Sequence, residues 1–238
     1  MGSKSGGSRS EEIRQQPALV FELEYIAFPG RRMLYGILAR VLKEKEIDLT
    51  PIIFSRYCLG VPLQQSLSKL GATADRKKTQ IDKLAEEIQD KFQRALVNEK
   101  LKLNATLNAV LNDAKKGNLP LGALTFLPKE TAQPVMEKLG LAEFVKLCVL
   151  GDSAYGTSGT DVWGKLARLM ELPPRQCLML TSSAEGCIAA QAAGAHCVAI
   201  PDEFTAFQDF GGADLIVEDG KLPDLKTLLP LTCMCRFR

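Results

Sequence analysis

The stretch Leu172–Pro201, LPPRQCLMLTSSAEGCIAAQAAGAHCVAIP, carries a whole strand–helix–strand unit. A double proline punctuates its start, and CLMLT (177–181) is a short apolar run that ends in hydroxyls. AEGCIAAQAAG (184–194) follows as a helix of small residues closing on a glycine turn, and HCVAIP (196–201) is a second apolar run. Nearly unbroken apolar runs of this length belong to strands covered on both faces, as in a parallel sheet.

The same alternation continues in both directions. Upstream lie LGALTFL (121–127), KETAQPVMEKLG (129–140), VKLCVLG (145–151) and TDVWGKLARLMEL (160–172); downstream lie DLIVED (214–219) and a short helix from Asp224. Successive strand and helix patterns predict an α/β fold with a Rossmann-like, doubly wound parallel sheet. ALVFEL (18–23) has the same buried-strand character and belongs to this sheet although it lies far away in sequence. The α/β core therefore comprises 17–27 and 118–238.

Between the two parts, 28–117 reads as a helical insertion. Ile81, Leu84, Ala85, Ile88, Phe92, Ala95 and Leu96 recur at helix spacing, with Asp82, Lys83, Glu86, Glu87, Asp90 and Lys91 on the opposite face. That charged face is read as a solvated surface. A second apolar series, Leu103, Leu107, Val110, Leu111 and Ala114, follows, and Gly60, Pro62, Gly71, Gly117 and Pro120 mark loops.

Composition bounds the function classes. The chain has 238 residues and a formal charge of +2, so its summed field does not call for nucleic acid. No apolar run reaches the roughly 18 to 20 residues of a membrane span, and the protein reads as soluble. Residues 1–16 begin MGSKSGGSRS and are expected to be a disordered tail, either a remnant of expression or the stub of an organelle-targeting segment. Cys148, Cys177, Cys187 and Cys197 sit in apolar or small-residue contexts, as reduced core thiols do. A reducing intracellular compartment is expected, the cytoplasm or an organelle interior such as the plastid stroma. Cys233 and Cys235 form a C-x-C, but His196 is the only histidine, so this pair is read as a frayed end and not a metal site.

The ends of the strands concentrate the chemistry. Charged side chains are costly to bury without partners, yet Glu22 and Glu24 follow directly on an apolar strand. Thr125 ends the second strand and Thr181, Ser182 and Ser183 end the fourth. Open parallel sheets bind ligands outside the carboxyl ends of their strands, near the point where strand order reverses. A helical insertion after the first strand would lie over that cleft as a lid.

In this order of parts the chain resembles the haloacid dehalogenase-like superfamily, specifically phosphatases and phosphomutases of the β-phosphoglucomutase or CbbY-like type. EIDLTPIIFSRYCLGVPLQQSLSKLG (46–71) is similar to the family's early cap, PVMEKLGLAEFVKLCVLGD (134–152) to its segment after the second motif, and 172–201 to its fourth motif. The resemblance implies a first motif of two aspartates two residues apart, a nucleophile and an acid/base. It also implies magnesium held with an acid of the fourth motif, and a hydroxyl of the second motif with a lysine of the third around the phosphoryl group.

Set on that pattern, Glu22 falls on the nucleophile and Glu24 on the acid/base, each one methylene (about 1.5 Å) too long where displacement of about 1 Å costs around a hundredfold. Thr125 matches the second motif. Thr157 stands where the lysine should be, Lys165 falls two helical turns later, and Thr181 and Ser182 replace the acidic pair of the fourth motif. Asp152 in GDS is read as a residue at the cleft rim. GTDVWGKL (159–166) mimics a phosphate loop, but Leu166 stands where a hydroxyl is needed. GTSGT (156–160) is read as a loop whose Thr160 caps the next helix.

The expectation is a catalytically inactive member serving as a binding, scaffold or assembly factor, with a protein partner or a second copy of itself, no cofactor and no metal. Thr125, Thr157, Thr181 and Ser182 are the candidate contacts to a small phosphorylated ligand. The alternative is a weak or altered phosphatase or phosphomutase with Glu22 as nucleophile and Mg2+ bound, its missing cation supplied by Arg56 or Lys69.

Overall fold

The computed structural model describes residues 16–71, 78–150, 162–217 and 220–232. Residues 1–15 of the expected tail, Asp152, the loop 156–160 with Thr157, and the Cys233/Cys235 pair lie outside the described residues.

Six parallel strands form one sheet in the order β3-β2-β1-β4-β5-β6: β1 Ala18–Glu22, β2 Leu121–Thr125, β3 Lys146–Val149, β4 Cys177–Thr181, β5 His196–Ala199 and β6 Leu215–Ile216. β1 is central, and every residue of β1, β2 and β4 is buried, which accounts for their unbroken apolar runs. Side chains alternate between the faces. Leu19, Phe21, Leu178 and Leu180 join one core cluster, while Ala18, Val20, Cys177 and Met179 join the other with Trp163 and Met170.

Among the described residues five α-helices stand between β1 and β2: α1 Gly30–Lys43, α2 Pro51–Tyr57, α3 Leu63–Lys69, α4 Lys78–Asn98 and α5 Ala105–Lys116. Along α4, Leu84, Ala85, Ile88, Phe92 and Leu96 are buried, and the outer face carries the i,i+4 pairs Glu87–Lys91 (2.7 Å) and Asp90–Arg94 (3.3 Å). Leu103 precedes α5, because Asn104 caps that helix by accepting from the Thr106 and Leu107 N–H groups. After β2 come α6 Lys129–Lys138, α7 Val162–Met170, α8 Ala184–Ala192 and α9 Leu225–Leu228. α7 carries Lys165 exposed and Trp163 buried.

Two expected strands are shorter than read. Within DLIVED the ladder to β5 covers only Leu215 and Ile216. β1 stops at Glu22, and Leu23–Ala27 form a single π-helical turn, so Glu24 sits in a turn and not on a strand.

The helical segment is joined to the core opposite it by specific contacts. Arg31 pairs with Asp202, Arg32 with Glu203 (2.6 Å), and Phe204 packs against Tyr35 and Phe54 with ring centroids 5.2 and 4.9 Å apart. The segment after β5 thereby anchors α1 and α2 above the carboxyl edge of the sheet.

Candidate functional site

Register brings the predicted residues together. Glu22 pairs with Leu124 and Phe21 with Leu180, so Glu22, Thr125 and Thr181 end three adjacent strands at one level. All three are buried, as are Glu24 and Ser182. The Glu22 carboxylate turns toward β4: Oε1 accepts from the Thr181 hydroxyl at 2.5 Å, and Oε2 accepts from both the N–H and the hydroxyl of Ser182 at 3.0 Å. Glu24 turns the other way, its Oε1 accepting from the Thr125 hydroxyl (2.6 Å) and the N–H groups of Phe126 (2.8 Å) and Leu127 (3.0 Å). Its Oε2 is buried with no hydrogen-bond partner among the described residues.

Two glycines permit this arrangement. A Cβ on Gly186 would lie 1.9 Å from Thr181 Oγ1 and 3.0 Å from Glu22 Oε1, so the first turn of α8 rests directly on the Thr181–Glu22 hydrogen bond. A Cβ on Gly30 would lie 2.5 Å from the Glu24 carbonyl oxygen, so only glycine lets α1 begin against the π-turn.

Sequence reading missed the cation of this site. Arg31, buried at the start of α1, donates to Ser182 Oγ at 3.0 Å and to Asp202, and its guanidinium lies 4.2 Å over the Tyr25 ring. Ser182 thus links the guanidinium to Glu22. Arg56 and Lys69, the cations the enzyme alternative called on, are exposed and do not line the cavity described below. His196 lies away from this site: it is buried, with Nδ1 3.3 Å from Asp214 Oδ2.

Burial governs the titration of both acids. It pushes the Glu22 carboxyl above its ordinary value, opposed by the hydrogen bonds of Thr181 and Ser182 and by the charge of Arg31. It pushes Glu24 up to about 7, opposed by the Thr125 hydroxyl and backbone donors. Both are pulled toward the neutral form, although their donors favour the anion.

Above the site is a cavity of about 620 Å³ between α1–α4 and the edge of the sheet. Glu22, Tyr25 and Arg31 line it together with the aromatic side chains of Phe54, Phe92 and Trp163. Trp163 is fixed by its indole N–H, which donates to the Gly186 carbonyl at 3.0 Å.

Magnesium, which the fold family implies, calls for near-octahedral oxygen ligands, usually one or two free carboxylates with several waters. Both oxygens of Glu22 are occupied by three donors, and the Arg31 guanidinium lies one hydroxyl away. Among the described residues no three His, Cys, Asp or Glu are grouped to hold a metal. These residues do not fit the ion.

Residues 30–200 match the family model described as haloacid dehalogenase-like hydrolase. The chain belongs to that family. The match begins after Glu22 and Glu24, so it does not include the first-motif strand. Among curated proteins, this haloacid dehalogenase-like chain is similar to the chloroplastic 5-amino-6-(5-phospho-D-ribitylamino)uracil phosphatase of Arabidopsis thaliana, 22% identical over 182 residues. The alignment takes in 75% of the chain and 48% of the relative, so the chain spans about half the length of the curated protein it matches. Among solved structures, CbbY of Rhodobacter sphaeroides in complex with xylulose-1,5-bisphosphate superposes with a TM-score of 0.74 at 15% identity, covering 90% of this chain and 99% of that one. The β-phosphoglucomutase of Clostridium difficile gives 0.71 at 14% identity, covering 92% and 98%. A hydrolase of Entamoeba histolytica gives 0.77 at 17%, covering 92% and 100%. These likenesses establish the fold of the β-phosphoglucomutase and CbbY type.

Proposed function

We propose that the chain is a non-catalytic haloacid dehalogenase-like protein that works by binding, with 28–117 as its cap and 17–27 with 118–238 as its core. The observation that carries this reading is the occupation of Glu22. A carboxylate that is to attack phosphorus must be ionised and must present a lone pair to the substrate. Here three internal donors take three of the carboxylate's roughly four lone-pair sites, and burial favours its neutral form. Thr181 and Ser182, which replace the fourth-motif acids, are the residues that occupy it. Three of the departures from the family pattern, Glu22, Thr181 and Ser182, therefore form one connected network, as expected when the strand end has been reworked into a structural joint. A reducing interior such as the plastid stroma suits the free buried thiols Cys177, Cys187 and Cys197 and the chloroplastic relative. The test is phosphate release from p-nitrophenyl phosphate and sugar phosphates with magnesium. The reading expects no rate above a Glu22→Ala control, and a metal-dependent rate above that control removes it.

A second reading has one observation in its favour. Glu24 retains an unpartnered buried oxygen and a carboxyl pushed up to about 7, properties that suit an acid/base. On that reading the chain is a slow phosphatase with Glu22 as nucleophile. Its most direct substrate probe is 5-amino-6-(5-phospho-D-ribitylamino)uracil, after the Arabidopsis relative. Phosphate release that is lost in both Glu22→Ala and Glu24→Gln would favour it.

A further inference from the structure

The cavity between α1–α4 and the sheet is built for a different ligand from a phosphate ester. Leu38, Phe54, Leu63, Phe92, Phe126 and Trp163 give much of its wall an apolar, partly aromatic character, and Gln64, Gln89 and Gln208 are among the polar side chains that complete it. Its volume of about 620 Å³ lies in the range of small-molecule pockets, about 300–1,000 Å³. Of the described residues that line it, Arg31 is the only basic one, and its guanidinium is already committed to Asp202, Ser182 and the face of Tyr25. The acids on the same wall are Glu22, Glu86 and Glu185.

Glu185 differs from Glu86, which is equally unpaired among the described residues, in being withdrawn from solvent. It is half-buried in the first turn of α8, and its Oε1 lies 3.4 Å from where a side chain on Gly60 would begin, so it meets the helical segment at Gly60 on the rim of the cavity. Neither a hydrogen bond nor an ion pair meets its carboxylate among the described residues. A phosphate dianion placed here would meet acids and a guanidinium already paired, and would have to desolvate against aromatic walls. An ammonium on an apolar body would find an unpaired carboxylate and aromatic faces, both of which favour a cation.

Resting on the non-catalytic reading above, we infer that this cavity binds a mainly apolar small molecule bearing an amine, with the ammonium on Glu185 and the apolar body among Phe54, Phe92 and Trp163. Trp163 is the sole tryptophan of the chain, so its fluorescence reports directly on occupancy. The experiment titrates the full chain with three probes sharing one apolar body, 4-phenylbutylamine, 4-phenylbutanol and 4-phenylbutyl phosphate, while phosphate release is followed in the last case. Saturable Trp163 changes are expected with the amine and the alcohol, with the phosphate at least about tenfold weaker than the amine. Glu185→Gln should remove the amine's advantage over the alcohol and leave alcohol binding unchanged, which also shows that the variant is folded. Binding of the phosphate as tightly as the amine, without release, overturns the ligand class alone. Release of phosphate overturns the non-catalytic reading. No saturable change with any of the three overturns the inference.

Discussion

Removing the Arg31 guanidinium tests the idea that a built-in cation organises the strand end. Arg31→Met keeps most of the aliphatic stem and deletes every donor. The side chain is 7% exposed and that of its partner Asp202 26%, so the deletion leaves one carboxylate that only partly regains water. Breaking a buried pair by removing one member costs about 3–5 kcal/mol. Asp202 keeps the Phe204 N–H (2.9 Å) and the Thr205 hydroxyl (3.2 Å) on its other oxygen, which places the loss at the low end, about 3 kcal/mol. The cation over Tyr25, largely withdrawn from water, adds about 1–2 kcal/mol. Asp202→Asn should cost less, because Arg31 retains Ser182 Oγ. The double variant should be more stable than the sum of the two losses implies, with a coupling of about 1.5 kcal/mol or more. Urea unfolding followed by Trp163 emission measures all four proteins. A loss below about 1 kcal/mol for Arg31→Met, or additive losses in the double variant, would refute the reasoning.

Three further outcomes follow from the same geometry. Burial raises Glu24 from 4.5 to about 7, so the native state holds a proton that the unfolded chain has released. Stability should therefore fall as pH rises from about 4.5 to about 7, by up to about 3 kcal/mol, with Glu22 contributing in the same direction. Glu24→Gln, whose amide oxygen can keep the Thr125, Phe126 and Leu127 donors, should flatten that slope in denaturation curves across the window. Gly186→Ala, whose Cβ would sit 1.9 Å from Thr181 Oγ1, should lower stability by about 2 kcal/mol or more. Gly36→Ala in α1, where a Cβ meets nothing within 4 Å, should leave the melting temperature unchanged or raise it.

Much of the architecture was legible because it rests on short-range patterns. CLMLT and LGALT have no polar side chain before their terminal threonine, and the structure buries every residue of both. The α4 stripe from Leu84 to Leu96 likewise follows from helix spacing alone. Termini were less legible: Asn104 could be seen as a cap only once α5 was placed, and the turn at Leu23–Ala27 depends on Gly30 packing against Glu24. The strand-end residues Glu22, Glu24, Thr125, Thr181 and Ser182 were found because strand ends in a parallel sheet converge. Their mutual bonding was not, since Thr181 stands 159 residues from Glu22. Arg31 was missed for the same reason. An arginine at a helix start reads as a surface residue, and its partner Asp202 lies 171 residues away. Arg31–Arg32 opposite Asp202–Glu203 was the one available signal, two paired charges that match only after folding.

The central claim is that the Glu22 carboxylate at the carboxyl edge of the sheet is committed to the donors of Thr181 and Ser182, with the Arg31 guanidinium one hydroxyl away, and does not hold a divalent ion. Isothermal titration of the full chain with magnesium chloride at neutral pH, beside Glu22→Gln, tests it most directly. The account predicts no saturable heat in the millimolar range for either protein, and tight uptake that disappears in Glu22→Gln would contradict it.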